Sequence, residues 1–327
     1  MRILVCGGAG YIGSNMTAML TDRGHSPVVF DNLTTGHRSA LGQAELVEGD
    51  LSDYPLLLDT LNKYEIEAVM HFVALIEVGE SVNEPLRYYH NNVCNSRSLL
   101  SAMEAAGVQK FVFSSTAAVY GTPVKVPLTE DSPQEPINPY GETKLAVERM
   151  CHYQSQAGKL RYAALRYFNA CGAGNNASLG EDHRPESHLI PLTIQAAMGK
   201  RDQILIYGTD YPTPDGTCIR DYVHVDDLCS AHLLALDKLN ENCELTCNLG
   251  NGTGYSVRQV VETVKEVSGK DFKVAETDRR TGDPAVLTSD ATRAINELGW
   301  KPKFTNLKDI IETAWSWHNA HPDGYPD

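Results

Sequence analysis

Five residues, Arg2-Ile3-Leu4-Val5-Cys6, run straight into Gly7-Gly8-Ala9-Gly10-Tyr11-Ile12-Gly13, after which apolar residues recur at Ile12, Met16, Met19 and Leu20. The first stretch reads as a short apolar strand, and the second has the spacing of a helix that closes at Gly24. Few folds accommodate a strand that enters a helix through so glycine-rich a turn. Glycines at 7, 10 and 13 let backbone N–H groups and the helix N-terminus approach a diphosphate, which requires strand, turn and helix in that order. The second strand, 27–30, ends in Asp31, 18 residues after Gly13. A carboxylate there can accept both hydroxyls of an adenosine ribose and would repel a 2′-phosphate, so the expected cofactor is NAD and not NADP.

Strands are expected at 45–47, 68–73, 111–113 and 161–167, with a helix over 88–105 whose Asn91 and Asn92 are unusually polar for a buried face. Asp50, after the third strand, is placed either to meet an adenine or to cap a helix, and His71 is expected to pack at a strand end. Strands alternating with helices imply a Rossmann-type, doubly wound parallel sheet with ligands at the carboxyl ends of its strands, where Thr116 falls. From about 175 the texture changes to polar, Pro-containing loops and short elements, although the helix through 236 and the 243–249 strand again look like parallel sheet. The expected division is a nucleotide-binding domain over 1–174, rejoined around 217–250, and a smaller α/β substrate domain from 175–216 and 251–327. Within these, Asp226 is expected to cap a helix through 236, and 248–254 is a second Gly-rich turn read as structural. Residues 256–259 form a capping box, and Leu307, Ile310, Ile311, Ala314 and Trp315 form an apolar helical stripe. That stripe fits a core or a dimer interface equally.

Chemistry concentrates in 111–144. Asn138 can cap a helix whose first residue is Pro139, which puts Tyr140 and Lys144 one turn apart on one face. An ammonium beside a phenol favours the phenolate and is expected to lower the tyrosine pKa from about 10 towards neutrality, as a general base requires. Taken alone, such a spacing more often marks a buried ring and a solvated charge.

Composition bounds the partners. The formal net charge of -14 argues against a nucleic-acid partner, whose phosphate backbone needs a basic face. Eight cysteines without a C-x-x-C pair read as scattered reduced thiols, and no metal is expected. The chain enters its first strand without a basic, apolar leader, and no stretch approaches a membrane span, so a cytoplasmic protein is expected.

The Gly-rich turn, Asp31, the hydroxyl of Thr116 and the Tyr140/Lys144 pair follow one another as in the extended short-chain dehydrogenase/reductases, which the chain resembles over nearly its whole length. More narrowly, 7–15, Asp31-Asn32, His71-Phe72 with Val78-Gly79-Glu80-Ser81, 115–121, 140–144, Arg166-Tyr167-Phe168-Asn169, Arg220-Asp221-Tyr222 and Arg279-Arg280 with Gly282-Asp283 resemble the NAD-dependent sugar-nucleotide 4-epimerases of that family. The resemblance implies NAD held by Gly7, Gly10, Tyr11, Ile12, Gly13, Asp31, Asn32, Thr35, Gly36, Asp50, Leu51, Phe72, Val73, Ala74, Asn91, Thr116, Tyr140, Lys144 and Phe168. It implies Thr116, Tyr140 and Lys144 as the catalytic set. A UDP-hexose would lie among Thr116, Tyr140, Asn169, His188, Leu189, Tyr207, Arg220, Arg280, Asp283 and Leu287, and the two arginines have the forked geometry that clamps a diphosphate. The implied activity is interconversion of UDP-glucose and UDP-galactose through a 4-keto sugar, in a homodimer.

Three departures stand out: Ile76 where some members place lysine, His188 where asparagine is common, and Leu287 at the gate over the hexose. Ala117 and Ala118 replace the acidic residues of the related dehydratases, so dehydration is not expected. A 4-epimerase acting on another UDP-sugar, such as an N-acetylhexosamine, a pentose or a uronate, stays open. So does a non-catalytic dinucleotide sensor, which would have no need of Thr116, Tyr140 and Lys144 together.

Overall fold

The computed structural model describes every residue except Thr281 and Asp327. In the first half, strands β1 (Arg2–Cys6), β2 (Ser26–Asp31), β3 (Glu45–Glu48), β4 (Ala68–His71), β5 (Lys110–Thr116) and β6 (Arg161–Tyr167) alternate with helices α1 (Tyr11–Asp22), α2 (Tyr54–Lys63), α3 (Val78–Asn83), α4 (Pro85–Tyr88), α5 (Asn95–Ala106) and α6 (Pro139–Gln156). The second half contains β7 (Asn169–Cys171), the single turn α7 (Gly174–Ala177), α8 (Leu189–Ala197), β8 (Ile204–Tyr207), β9 (Ile219–His224), α9 (Val225–Lys238) and β10 (Glu244–Leu249). It continues through β11 (Gly254–Ser256), α10 (Val257–Ser268), β12 (Val274–Thr277), β13 (Val286–Leu287), α11 (Thr292–Leu298) and α12 (Leu307–Ala320).

Seven strands form one parallel sheet in the order β10-β6-β5-β4-β1-β2-β3. Strand order reverses between β1 and β4, and in such a sheet the crevice for a ligand opens there, beyond the carboxyl ends of the strands. Successive side chains of β1 point to opposite faces: Ile3 and Val5 enter a core with α1, α9 and α11, whereas Leu4 and Cys6 enter one with α2, α5 and α6. Burial on both faces explains why these strands are apolar throughout. The chain returns to this sheet as β10, parallel to β6, whereas β9, within the same 217–250 stretch, lies in a second sheet. Elsewhere β11, β9, β13 and β7 form a four-stranded sheet, and β12 pairs with β8.

Several elements differ from the sequence expectation. The helix expected over 88–105 is instead α4, a π-helical turn Tyr89–Cys94 and α5, and the π turn presents Asn92 inwards. The cap of α9 is His224, whose imidazole accepts from Asp226 N at 3.1 Å; Asp226 lies inside the first turn, where its charge suits the helix dipole. In α12 the residues buried are Leu307, Ile310, Ile311, Ala314 and Trp317; the first four pack with α8 and α10, with Trp315 at the margin, so this stripe is core, while Trp317 packs with Ala173, Leu179 and Tyr325. The second Gly-rich turn binds a carboxylate of its own chain: Asn251 N and Gly252 N donate to Asp221 at 2.8 and 3.0 Å, and Ser289 N and Oγ add 3.0 and 2.6 Å. The capping box is present, with Ser256 and Gln259 exchanging bonds. All eight cysteines are free thiols.

Candidate active site

Beyond β1 and β4 lies a cleft lined by Gly7, Gly10, Phe30, Asp31, Asn32, Thr35, Gly49, Asp50, Leu51, Phe72, Val73, Ala74 and Asn95. Its floor is the glycine turn. Gly7 has φ +77°, and a Cβ there would lie 2.9 Å from Val73 N; a Cβ on Gly13 would lie 2.0 Å from Gly7 O. Both positions therefore exclude a side chain on packing grounds alone. Gly10 meets only ordinary contact at 3.5 Å, but as the N-cap of α1 it supplies no side-chain cap. The first N–H groups of α1, on Tyr11, Ile12 and Gly13, are thus left facing a site suited to an anion. Gly36 packs so tightly that a Cβ would lie 2.8 Å from the Ala9 backbone.

Asp31, 7% exposed, ends β2 with Oδ2 accepting from Ala9 N at 2.9 Å and Oδ1 from Leu33 N at 2.8 Å. Burial pushes its carboxyl up while the two N–H groups oppose that rise. Asp50 Oδ2 accepts from Asn32 Nδ2 at 2.8 Å, and Oδ1 accepts from Ser52 N at 2.9 Å. Burial disfavours its charge, yet bonds from Ser52 and Asn32 prevail and hold its carboxyl below the ordinary range. The following helix is capped by Asp53, which leaves Asp50 facing the cleft.

Other sequence candidates reach this region indirectly. Tyr11 donates its hydroxyl to Gly172 O at 2.6 Å, Ile12 packs into the core, and the Phe72 ring lies 5.0 Å from that of His232. Asn91 bonds the side chain of Asn92 at 2.9 Å. Asn92 holds the loop at the cleft's edge: it bonds Leu75 N and O at 2.9 and 3.0 Å and Thr143 Oγ1 at 3.0 Å. Sequence reading missed this role, although two adjacent asparagines on a buried helix face signalled it. His71 is structural, as expected. It is 1% exposed, 2.9 Å from Ser96 Oγ, and pushed down to about 3 by burial and by the charge of Lys144.

Asn138 caps α6 through a 2.9 Å bond from Gly141 N, so Tyr140 and Lys144 stand on one face. Thr116, at the carboxyl end of β5, accepts from Ala118 N at 3.2 Å, and its hydroxyl lies near enough to the Tyr140 phenol to favour the phenolate. The expected lowering of the Tyr140 pKa is not found. Burial pushes the phenol up, the nearby Thr116 hydroxyl opposes this, and the charge of Glu77 adds to the rise. Lys144 is 3% exposed and donates to Ser114 O at 2.8 Å, with Phe113 beneath it at 5.0 Å. Burial pushes its ammonium down to about 7, against the opposing pull of Glu148, so near neutrality it carries only part of a charge. The sequence gives the spacing of the pair but not the depth at which it is buried, and desolvation dominates both groups.

Glu148, one turn beyond Lys144, is a second residue that sequence reading missed. Its carboxylate takes Arg166 Nε at 2.9 Å and Nη2 at 2.5 Å, and it accepts from Ser115 Oγ. Arg166 Nη1 continues to Tyr120 OH at 3.0 Å, and Tyr120 OH reaches Asn248 Oδ1 at 2.6 Å. This buried network fixes β5, α6, β6 and β10 behind Thr116 and Lys144.

The remaining candidates form groups. Leu287 pairs in register with Arg220 and, like Phe168, packs against the cluster that contains Ala117, next to Thr116. Arg220 Nη1 donates to Ile219 O and Pro284 O at 2.9 and 2.8 Å, and its Nη2 lies 3.3 Å from Asp283 Oδ1. Arg280 stacks on Tyr207 at 4.0 Å. Asn169 donates to Asp221 O at 2.7 Å, and Leu189 opens α8 behind its N-cap His188. Burial works against a charge on His188, but Glu181 and Glu186 outweigh it and hold the imidazole well above its ordinary value.

The doubly wound sheet, the glycine turn at its switch point, Asp31 and the Thr116/Tyr140/Lys144 group together define a nicotinamide-dinucleotide enzyme of the short-chain dehydrogenase/reductase type. The model of the NAD dependent epimerase/dehydratase family matches residues 3–250, and the chain belongs to that family. It is 48% identical over 326 residues to a UDP-glucose 4-epimerase of Halalkalibacterium halodurans, covering 99% of this chain and 98% of that relative. A crystal structure of a UDP-glucose 4-epimerase superposes with TM-score 0.98 at 50% identity over 100% of both chains. The UDP-glucose 4-epimerase from Brucella ovis in complex with NAD gives TM-score 0.94 at 47% identity, covering 97% of this chain and 98% of that one. The cofactor is NAD, and the turn that tolerates no Cβ at 7 and 13, its uncapped helix end and the Asp31 carboxylate fit it.

Proposed function

We propose that this protein is a UDP-glucose 4-epimerase that interconverts UDP-glucose and UDP-galactose. The observation that carries the proposal is that Tyr140 and Lys144, one turn apart on α6, both lie against the carboxyl end of β5, at Thr116 and Ser114. NAD, when bound, supplies a positive charge, takes the C4 hydride and gives it back to the opposite face of the sugar. Tyr140 removes the proton of the C4 hydroxyl and later returns it, with the neighbouring Thr116 hydroxyl as relay. Lys144, one turn along the same helix and bonded to Ser114 O, supplies whatever ammonium charge favours the phenolate when the cofactor and sugar are bound. Arg220 and Arg280 anchor the diphosphate, so that the flat 4-keto sugar turns over while its nucleotide stays in place. Asp31 and Asp50 hold the adenosine, the 175–216 and 251–327 segments carry the sugar nucleotide, and 1–174 with 217–250 carries NAD.

No helix among the described residues is long and apolar enough to cross a membrane. A cytoplasmic homodimer completes the proposal. It is supported by the free thiols and by Val82, Leu86 and Tyr89, exposed at 60, 82 and 40% on neighbouring helical turns.

The test is a panel of UDP-glucose, UDP-N-acetylglucosamine, UDP-xylose and UDP-glucuronate, each incubated with purified protein and resolved into 4-epimers. UDP-glucose is expected to turn over fastest. No turnover of any, with dinucleotide still bound, would point to the sensor instead.

A further inference from the structure

Between α7 and α8 the chain reads Glu181-Asp182-His183-Arg184-Pro185-Glu186-Ser187-His188. Glu181, His183, Glu186 and His188 fold inwards so that one donor atom from each lies within 4.8 Å of the others. His188 Nδ1 is 2.9 Å from Glu181 Oε1 and 3.1 Å from Glu186 Oε1. His183 Nδ1 is 3.3 Å from Glu181 Oε1 and 3.6 Å from Glu186 Oε2. Bonds of 2.0–2.1 Å to a tetrahedral ion put neighbouring ligand atoms about 3.3–3.4 Å apart, and these separations lie around that edge, with Glu186 facing His188 through Oε1 and His183 through Oε2.

A second observation points the same way. His183 Nδ1 is buried and, among the described residues, makes no hydrogen bond, although two carboxylate oxygens stand beside it. A nitrogen aimed at oxygens from which it draws no hydrogen bond fits a lone pair directed at a shared cation. The carboxylates are nearly out of water, at 5 and 4% exposure. With neutral imidazoles the group has a charge of −2, which a divalent ion cancels. Glu186 Oε1 also accepts from Ser187 N and His188 N at 2.7 and 2.8 Å, the kind of outer bond that orients a ligating carboxylate.

We propose that Glu181, His183, Glu186 and His188 form a closed, structural site for one zinc ion. Two imidazoles and two carboxylates in a four-cornered arrangement suit zinc, whereas magnesium and calcium take six or more oxygens. Four protein ligands leave no open position, so the ion acts as a clasp and not as a Lewis acid. The clasp joins the cofactor turn to the start of α8. His183 packs edge-on against Tyr11 at 6.4 Å, His188 is the N-cap of α8, and Ser187 Oγ donates to Glu77 Oε1 at 2.8 Å.

The sequence already spaces these ligands as E-x-H-x-x-E-x-H, a pattern absent from the cysteine arithmetic that argued against a metal. The test uses full-length, NAD-loaded protein stripped with chelator and titrated with cobalt(II), then zinc(II). One cobalt per chain is expected, with the intense visible absorption of a tetrahedral ion, and zinc displaces it. Zinc also raises the thermal midpoint of the native protein. His183→Gln is expected to weaken zinc binding by more than about 100-fold, since outer partners alone are worth 10–100-fold. Glu186→Gln provides a second variant should the first be poorly folded. Substoichiometric metal, a weak octahedral spectrum, or variants that bind zinc as tightly as the native chain would overturn the proposal.

Discussion

Replacing Glu148 by alanine removes one partner of the buried pair behind Thr116 and Lys144. Arg166 and Glu148 side chains are 3 and 7% exposed and joined by two parallel bonds. Burial alone would lower the Arg166 pKa, but Glu148 reverses this and raises it. An uncompensated guanidinium left in that position costs about 3–5 kcal/mol. Over 327 residues, about 2.1 cal/mol/K per residue gives an unfolding entropy of about 0.7 kcal/mol/K, so the thermal midpoint is expected to fall by about 4–7 °C. Calorimetry at neutral pH with saturating NAD measures this. Arg166→Met should cost a similar amount, whereas the double variant Glu148→Leu with Arg166→Met should regain most of the loss, because no lone charge remains. Glu148 also favours the Lys144 ammonium, so its removal should move the alkaline limb of the activity profile to lower pH. A Glu148→Ala midpoint within about 1 °C of native would refute the reasoning, as would a double variant less stable than either single one.

Lys144→Met should abolish most activity yet flatten the pH dependence of stability relative to the native protein. The folded pKa of about 7 lies below the unfolded 10.5, so between these values folding releases a proton and native stability gains up to about 1.4 kcal/mol per pH unit from this group, as denaturation across that window would report. Asp31→Ser should relax cofactor choice by removing the charge that faces a 2′-phosphate, raising NADP binding relative to NAD by about tenfold or more in equilibrium titration. Leu287→Tyr should narrow the sugar range. UDP-N-acetylglucosamine turnover is expected to drop by about 10–200-fold with UDP-glucose little changed, as paired kcat/KM values would show.

The parallel sheet was legible because its signals are local: apolar strand, glycine turn and helix lie within 22 residues of the N-terminus, and Asn138-Pro139 carries its own cap chemistry. What escaped depends on residues distant in the chain. Asp221 gathers the 248–254 turn and Ser289, Glu148 gathers Arg166 and Ser115, and Asn92 clamps Leu75. Adjacent residues also competed for single roles: the α9 cap fell to His224 and not Asp226, and the helix margin to Trp315 and not Trp317. The direction of the Tyr140 pKa was misread because a sequence shows charge spacing but not the water withdrawn from each group.

Tyr140→Phe removes one oxygen and leaves the ring, so it isolates the proton transfer. With UDP-galactose and no added NAD, the native protein is expected to form UDP-glucose. The variant should lose about 10²–10⁴-fold in kcat while keeping its NAD and its affinity for UDP. A phenylalanine variant that epimerises at the native rate would contradict the account.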